Sequence, residues 1–106
     1  MPRGRHTFVA LLEAAAAQDD LREQARIVLA PLAAYDSDHG GDLLQTLRTY
    51  FICNGNASKS AERLFLHRNG LLYRLARVEE LIGASLSDGE VRLGLEIALR
   101  LAGAAD

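Results

Sequence analysis

Apolar residues in this chain recur every three or four positions, which is the spacing of helices that bury one face. Near the N-terminus this pattern predicts a helix over residues 7–17, with Thr7 as its cap. Its apolar face consists of Phe8, Leu11, Leu12 and Ala15. Asp19 and Asp20 end this helix and can cap a second one. The apolar face of the second helix consists of Leu21, Ala25, Val28 and Leu29.

Proline and glycine then interrupt the pattern. Pro31 lacks the N–H that a helix interior needs, so we expect a break or kink there, followed by a short turn of helix to Tyr35. The polar and glycine-rich segment 36–41 is predicted to be a loop and the domain boundary. Residues 1–41 are therefore predicted to be an N-terminal helical extension and linker, and residues 42–106 a separate helical domain.

The first and last helices of this domain have clear start and stop signals. Asp42 caps the first, which ends at the Asn54-Gly55 pair because glycine adopts the left-handed C-terminal conformation without steric cost. Its apolar positions are Leu43, Leu44, Leu47, Tyr50 and Phe51. Ser87 or Asp88 caps the last helix. The apolar face of that helix consists of Val91, Leu95, Ala98, Leu99 and Ala102.

Two helices joined by a tight turn lie between them. The shorter begins at Asn56 and ends near Phe65, where many such turns have glycine, and the longer runs from about Arg68 to Ile82. Their buried positions are Ala57, Ala61, Leu64, Leu71, Leu75, Val78 and Ile82. This arrangement is the geometry of a helix-turn-helix, and Ala61 provides the small residue that the crossing requires. We predict an all-α helical bundle that contains a helix-turn-helix.

The first turn of the longer helix carries side chains suited to DNA. Arg68 can bond guanine with two hydrogen bonds, and Asn69 can do the same with adenine. The backbone N–H groups at a helix N-terminus also favour phosphate. The predicted DNA-binding residues are Lys59, Arg63, His67, Arg68, Asn69, Gly70, Tyr73, Arg74 and Arg77.

Several of these residues have a second interpretation. His67 either caps the longer helix or contacts phosphate, and Tyr73 either contacts the DNA backbone or packs its ring against the shorter helix. Arg77 either meets phosphate or pairs with Glu80, three residues further on. Lys59 and the other cation of the shorter helix either contact the DNA backbone or are simply solvated.

The distribution of charge supports a local basic surface. The net charge of the whole chain is −2. Between Arg48 and Arg77, however, there are six basic residues and one acid, Glu62, so the local charge is +5. A basic surface on an otherwise acidic chain attracts DNA in one orientation.

Other functional classes lack their signatures. The single cysteine, Cys53, forms neither a disulfide framework nor a metal cage and fits a reducing cytoplasm. His6, His39 and His67 lack the spacing of metal ligands, and no catalytic set of residues is recognisable. No apolar run approaches the length that spans a membrane. We predict a cytoplasmic protein that is not an enzyme and has no cofactor, metal, membrane contact or small-molecule ligand.

The segment from Leu43 to Leu101 resembles the C-terminal helix-turn-helix domain of PucR-type bacterial transcription regulators, which include the sugar-diacid regulators. The most specific matching runs are His67-Arg68-Asn69 and Tyr73-Arg74-Leu75. The segment 28–36 resembles the residues that precede this domain, and the fold is similar to the DNA-binding end of Fis. The resemblance implies the output module of a regulator that carries a sensing region N-terminal to it. We expect this chain, which has no room for that region, to be a fragment or a stand-alone version.

Three residues depart from this resemblance. Family members usually have threonine at the position of Gly70, and basic or polar residues at the positions of Leu72 and Ala76. These changes imply weaker or retargeted DNA binding, and Leu72 can instead mark a protein contact. Our main hypothesis is a sequence-specific double-stranded DNA-binding module that forms a homodimer through its N-terminal helices, with residues 68–82 in the major groove. The alternative is a helical protein-interaction or dimerisation module whose DNA binding is weakened or lost.

Overall fold

The computed structural model describes residues 3–103, which form six α-helices and no strand. The helices are α1 (Arg3–Ala16), α2 (Asp19–His39), α3 (Leu43–Ile52), α4 (Ala57–Arg63), α5 (Arg68–Ile82) and α6 (Gly89–Gly103). The prediction of an all-α bundle is confirmed. The outer ends of the two predicted domains, residues 1 and 106, lie outside the described residues. None of the described helices is long and apolar enough to cross a membrane.

Helix α2 continues through Pro31, so the predicted break there is wrong, whereas the alternative of a kink stays a prediction. Leu29 and Leu32 lie on either side of Pro31 along the chain, and both are buried in the core. Their burial offsets the roughly 3 kcal/mol that an interior proline costs a helix. The predicted loop over 36–41 is also largely wrong, because α2 continues to His39 and ends at Gly40, which has a φ of 60°.

The longer α2 changes how α3 is capped. The backbone N–H of Leu43 donates to Oδ1 of Asp36 at 2.8 Å, and that of Leu44 donates to Oδ2 at 3.1 Å. The carboxylate of Asp36 therefore satisfies two of the N–H groups that a helix N-terminus leaves unpaired. Asp42 occupies the N-cap position, but its side chain makes no capping hydrogen bond, so its predicted role is wrong. Asp19 was also predicted to be able to cap a helix, but it lies in the first turn of α2, and the N-cap residue is Gln18.

The caps predicted for the second half of the chain are confirmed. Oδ1 of Asn56 accepts a hydrogen bond from the backbone N–H of Lys59 at 2.9 Å, which fixes the start of α4. Gly83 ends α5 with a φ of 68°. Oδ1 of Asp88 accepts from the N–H of Glu90 at 2.9 Å at the start of α6. These signals are local in sequence, and they set the lengths of the two helices that form the helix-turn-helix.

A single apolar core joins α2 to α3, α5 and α6. Its buried side chains are Ala25, Leu29, Leu32, Leu43, Leu47, Ala61, Leu71, Leu75, Val78, Leu86, Leu95, Ala98, Leu99 and Leu101. Two residues predicted on the apolar face of the first helix, Phe8 and Leu11, are instead 68% and 67% exposed. The division at residue 41 stays a prediction, although α2 packs into the same core as the helices that follow it.

Candidate nucleic-acid interface

Helices α4 and α5 meet across a short turn. Ala61 of α4 is 4% exposed and supplies the small side chain predicted for this crossing. The backbone N–H of Leu66 donates to the carbonyl oxygen of Ala61 at 2.8 Å, which closes the end of α4. Phe65 adopts a φ of 56°, and its side chain is 96% exposed. The turn therefore holds an apolar residue in the left-handed conformation with its ring in solvent.

The N-terminus of α5 is capped by a histidine. Nδ1 of His67 accepts a hydrogen bond from the backbone N–H of Asn69 at 3.1 Å, so the capping interpretation of His67 is correct. A neutral imidazole that accepts at Nδ1 carries its proton at Nε2. Because His67 is exposed, that second nitrogen can donate to a group outside the chain.

Arg68 and Asn69 lie in the first turn of α5 and are exposed. Among residues 3–103, neither side chain makes a hydrogen bond or an ion pair. Gly70 follows them and is half-buried, with open space where a Cβ would lie. Any contact made by Gly70 must therefore come from its backbone. The first turn of α5 thus presents an unengaged guanidinium and an unengaged amide on a capped helix end.

Three neighbouring side chains contact Arg77. Its Nη2 donates to Oη of Tyr73 at 2.9 Å, and its Nη1 lies 3.5 Å from Oε2 of Glu80. Its guanidinium also lies 5.6 Å from the ring centroid of Tyr73 and 5.8 Å from that of Tyr35. The hydrogen bond and charge of Tyr73, followed by the charge of Glu80, raise the pKa of Arg77, so this residue stays positively charged. The predicted pair with Glu80 is present.

Arg74 is half-buried and joins α5 to α3. Its Nη1 donates to Oγ1 of Thr46 at 3.2 Å. Thr46 is fully buried, and its hydroxyl donates in turn to the carbonyl oxygen of Asp42 at 2.7 Å. The orientation of Arg74 is therefore set by a buried partner on a neighbouring helix.

The two cations of α4, Lys59 and Arg63, are both exposed. They border a shallow depression that also includes Ile52, Asn54 and Cys53 at the end of α3. Cys53 is a free thiol and is half-buried. The structure thus places both α4 cations on the surface of the supporting helix.

Sequence reasoning missed the contribution of α2 to this surface. Tyr35 stacks on His39 with ring centroids 4.2 Å apart, and the guanidinium of Arg77 lies 5.8 Å from the centroid of the Tyr35 ring. Asp36 caps α3, and Thr46 of α3 holds Arg74. The only sequence signal for these roles was the resemblance of segment 28–36 to the residues that precede the domain.

This geometry defines the chain as a helix-turn-helix protein. A short helix supports a longer one whose capped and basic first turn faces solvent. The family described as the PucR C-terminal helix-turn-helix domain matches residues 43–101. The chain therefore belongs to this family, and it is a module of the kind found in transcription regulators.

Three curated proteins with similar sequences are bacterial regulators. The purine catabolism regulatory protein of Bacillus subtilis is 39% identical over 83 residues, which is 78% of this chain and 15% of that protein. The carbohydrate diacid regulator of Escherichia coli is 38% identical over 95% of this chain and 27% of its own length. The proline-responsive transcriptional activator PutR of Bacillus subtilis is 34% identical over 85% of this chain and 22% of its own length.

The chain spans less than half of the length of each of these relatives. No solved structure matches the chain.

Proposed function

We propose that this chain is a sequence-specific DNA-binding module of a bacterial transcription regulator. Helix α5 enters the major groove of double-stranded DNA, and α4 supports it against the sugar-phosphate backbone. The observation that carries this proposal is the first turn of α5, where Arg68 and Asn69 are exposed and their side chains make no hydrogen bond or ion pair within residues 3–103. In helix-turn-helix proteins, this part of the recognition helix contacts base edges.

The surrounding residues suit contacts to phosphate. Nε2 of His67 and the backbone N–H of Gly70 belong to the N-terminus of α5, where the helix dipole favours an anion. Lys59 and Arg63 extend this positive surface along α4. Each phosphate neutralised in this way releases counterions, so binding is expected to weaken steeply as salt is added.

Arg74 and Arg77 fit the edge of the same surface. A guanidinium has five N–H donors, and Arg74 uses one of them for Thr46. Its remaining donors can still bond a phosphate oxygen while the hydrogen bond to α3 fixes their direction. Arg77 and Tyr73 likewise form a single positively charged unit that can meet the DNA backbone without rearranging.

The module is expected to act as a homodimer that binds two half-sites about one DNA turn apart. Phe8 and Leu11 of α1 expose large apolar side chains, and Ile27 of α2 is 55% exposed. Burial of these side chains against a second copy would remove them from water. Sedimentation of the chain with and without Leu11→Glu tests this, because the substitution is expected to convert a dimer into a monomer.

The DNA-binding proposal is tested by selecting duplexes from a random pool and titrating the selected sequence with the protein. Arg68→Ala is expected to weaken binding by about tenfold to a hundredfold, because a base contact contributes about 1–3 kcal/mol. Arg26→Ala is the matched control, since Arg26 is an exposed arginine on α2 that pairs with Glu23. Equal binding by the two variants would contradict the assignment of α5 as the recognition helix.

The alternative function is a helical protein-interaction or dimerisation module. It is favoured by Leu72, a large apolar residue that is 38% exposed on α5, and by the exposed Ala76 nearby. The salt titration separates the two functions. Phosphate contacts lose affinity steeply with salt, whereas an apolar protein contact does not. Failure of the chain to select any DNA sequence would favour the alternative.

A further inference from the structure

The outward side of α5 combines one amide with two apolar side chains. Leu71, Leu75 and Val78 bury the opposite side in the core. Asn69, Leu72 and Ala76 are exposed. Since each residue advances an α-helix by about 100°, these three positions fall within about 60° of arc. A ligand that contacts Asn69 along the helix therefore also meets Leu72 and Ala76.

The apolar pair lies in a segment of α5 whose charged residues are all basic. Residues 68–78 contain three arginines and no aspartate or glutamate. The two cations of α4 lie across the turn and are also exposed. The charge of a polyanion is complementary to these cations. An apolar protein partner, in contrast, would have to desolvate several cations in order to cover Leu72 and Ala76. The occupant favoured by this surface is DNA.

Leu72 and Ala76 can neither donate nor accept a hydrogen bond. Base edges in the major groove present donors, acceptors and one apolar group, the C5 methyl of thymine. We propose that Leu72 and Ala76 contact thymine methyl groups, and that the sequence recognised by α5 therefore carries thymine close to the adenine contacted by Asn69. This inference rests on the proposed function, because it requires α5 to lie in the major groove.

The helix rise sets the expected spacing. Leu72 lies about 4.5 Å beyond Asn69 along the helix axis, and Ala76 lies about 10.5 Å beyond it. Base pairs are stacked about 3.4 Å apart. The thymine contacted by Leu72 is therefore expected within about one or two steps of the adenine, and the thymine contacted by Ala76 about three steps away.

The test replaces thymine with uracil in the DNA selected by the wild-type chain. Uracil lacks the methyl group and keeps every hydrogen-bonding atom, so a change in affinity reports the methyl contact alone. Loss of one buried methyl group is expected to weaken binding about fourfold. Replacement of thymines outside the selected sequence serves as the DNA control and is expected to have no effect.

Leu72→Ala assigns the contact to its residue. This variant is expected to bind equally to duplexes with thymine or uracil at the position that Leu72 contacts, and its melting temperature should stay unchanged because Leu72 lies outside the core. Leu93→Ala is the matched control, since Leu93 is a 59% exposed leucine on α6, and it should keep the wild-type preference for thymine.

Three results would overturn the inference. These are a selected sequence without thymine near the adenine, tolerance of uracil at every position, or a uracil penalty that persists in Leu72→Ala at the thymine nearest the adenine. In each case the chain still selects DNA, so the proposed function stands while the methyl contact fails. If the wild-type chain selects no DNA, both the function and the inference fail.

Discussion

The first turn of α5 and the later turns of the same helix carry arginines that differ in their contacts with the rest of the chain. Arg68 is exposed, and its side chain makes no hydrogen bond or ion pair within the described part of the chain. Arg74 donates to a buried threonine, and Arg77 is held by Tyr73, Glu80 and the ring of Tyr35. The difference indicates that the first turn is available to a ligand, whereas the later turns hold α5 against α2 and α3.

Asn69→Ala tests the exposed first turn of α5 and is expected to have the largest effect. Loss of the amide should cost about 1–3 kcal/mol in binding to the selected DNA and remove the preference for adenine at one position. The melting temperature should not change, because the side chain of Asn69 is exposed and makes no hydrogen bond within residues 3–103. Competition titrations with DNA changed at that position measure the effect, and unchanged base preference would contradict it.

Asp36→Ala tests how strongly α2 stabilises the start of α3. The substitution leaves the N–H groups of Leu43 and Leu44 without their acceptor, and loss of such a cap costs about 0.5–2 kcal/mol. For a chain of this size, each kcal/mol corresponds to a fall in melting temperature of about 4–8 °C. Asp38→Ala removes the same charge from an exposed site on the same helix and is the matched control. Equal melting temperatures for the two variants would show that the cap contributes nothing.

Gly70→Ala tests whether the first turn of α5 is held loosely by its glycine. Gly70 has a helical backbone and open space at its Cβ position, so alanine should stabilise the chain by about 0.5–1 kcal/mol. Gly83→Ala is the contrasting variant. Its Cβ also has open space, but its φ of 68° strains alanine, so thermal unfolding should show a loss of stability. Stabilisation by both substitutions would contradict the backbone argument.

Phe65→Gly addresses the turn that presents the first turn of α5, and its expected effect is the smallest. Glycine relieves the strain of a φ of 56° but adds freedom to the unfolded chain, so a net gain of a few tenths of a kcal/mol is expected. The ring is 96% exposed and contributes no packing to the core. Chemical denaturation measures the change, and a clear loss of stability would mean that the ring makes a stabilising contact.

The helix-turn-helix itself could be predicted because its signals are local. The side chain of Asn56 bonds a backbone N–H three residues away, and Gly83 ends α5 by its own backbone conformation. The buried spacing of Leu71, Leu75 and Val78 also follows from helix periodicity alone. Each of these features depends on residues within about two turns of one another, so the linear pattern contained them.

The course of α2 depended on contacts distant in sequence. Pro31 favours a break by its local chemistry, and only burial of the flanking leucines in the common core keeps the helix continuous. Asp36 seemed a loop residue because its partners, the N–H groups of Leu43 and Leu44, lie seven and eight residues away. The apolar residues of α1 followed the helical pattern, but that pattern does not show whether a face has a partner to cover it.

The residues of the candidate site also differed in how much of their role the sequence could predict. Arg68 and Asn69 were predicted from residue chemistry at a helix N-terminus, which requires no knowledge of neighbours. Arg74 and Arg77 appeared equivalent to Arg68 in the sequence, and their partners on α3 and α2 became visible only in three dimensions. The basic side chains of one helix therefore need to be sorted by their internal contacts before contacts to DNA are assigned to them.

The most direct test of this account follows nuclear magnetic resonance signals of the isotopically labelled chain as the selected duplex is added. The account predicts that the largest shifts fall on the backbone amides of residues 67–73 and on the side chains of Arg68 and Asn69. Smaller shifts are expected for the guanidinium groups of Arg74 and Arg77, since both already have protein partners. Largest shifts on α1 or α6, or on Arg77 in preference to Arg68, would contradict the claim that the free first turn of α5 contacts the bases.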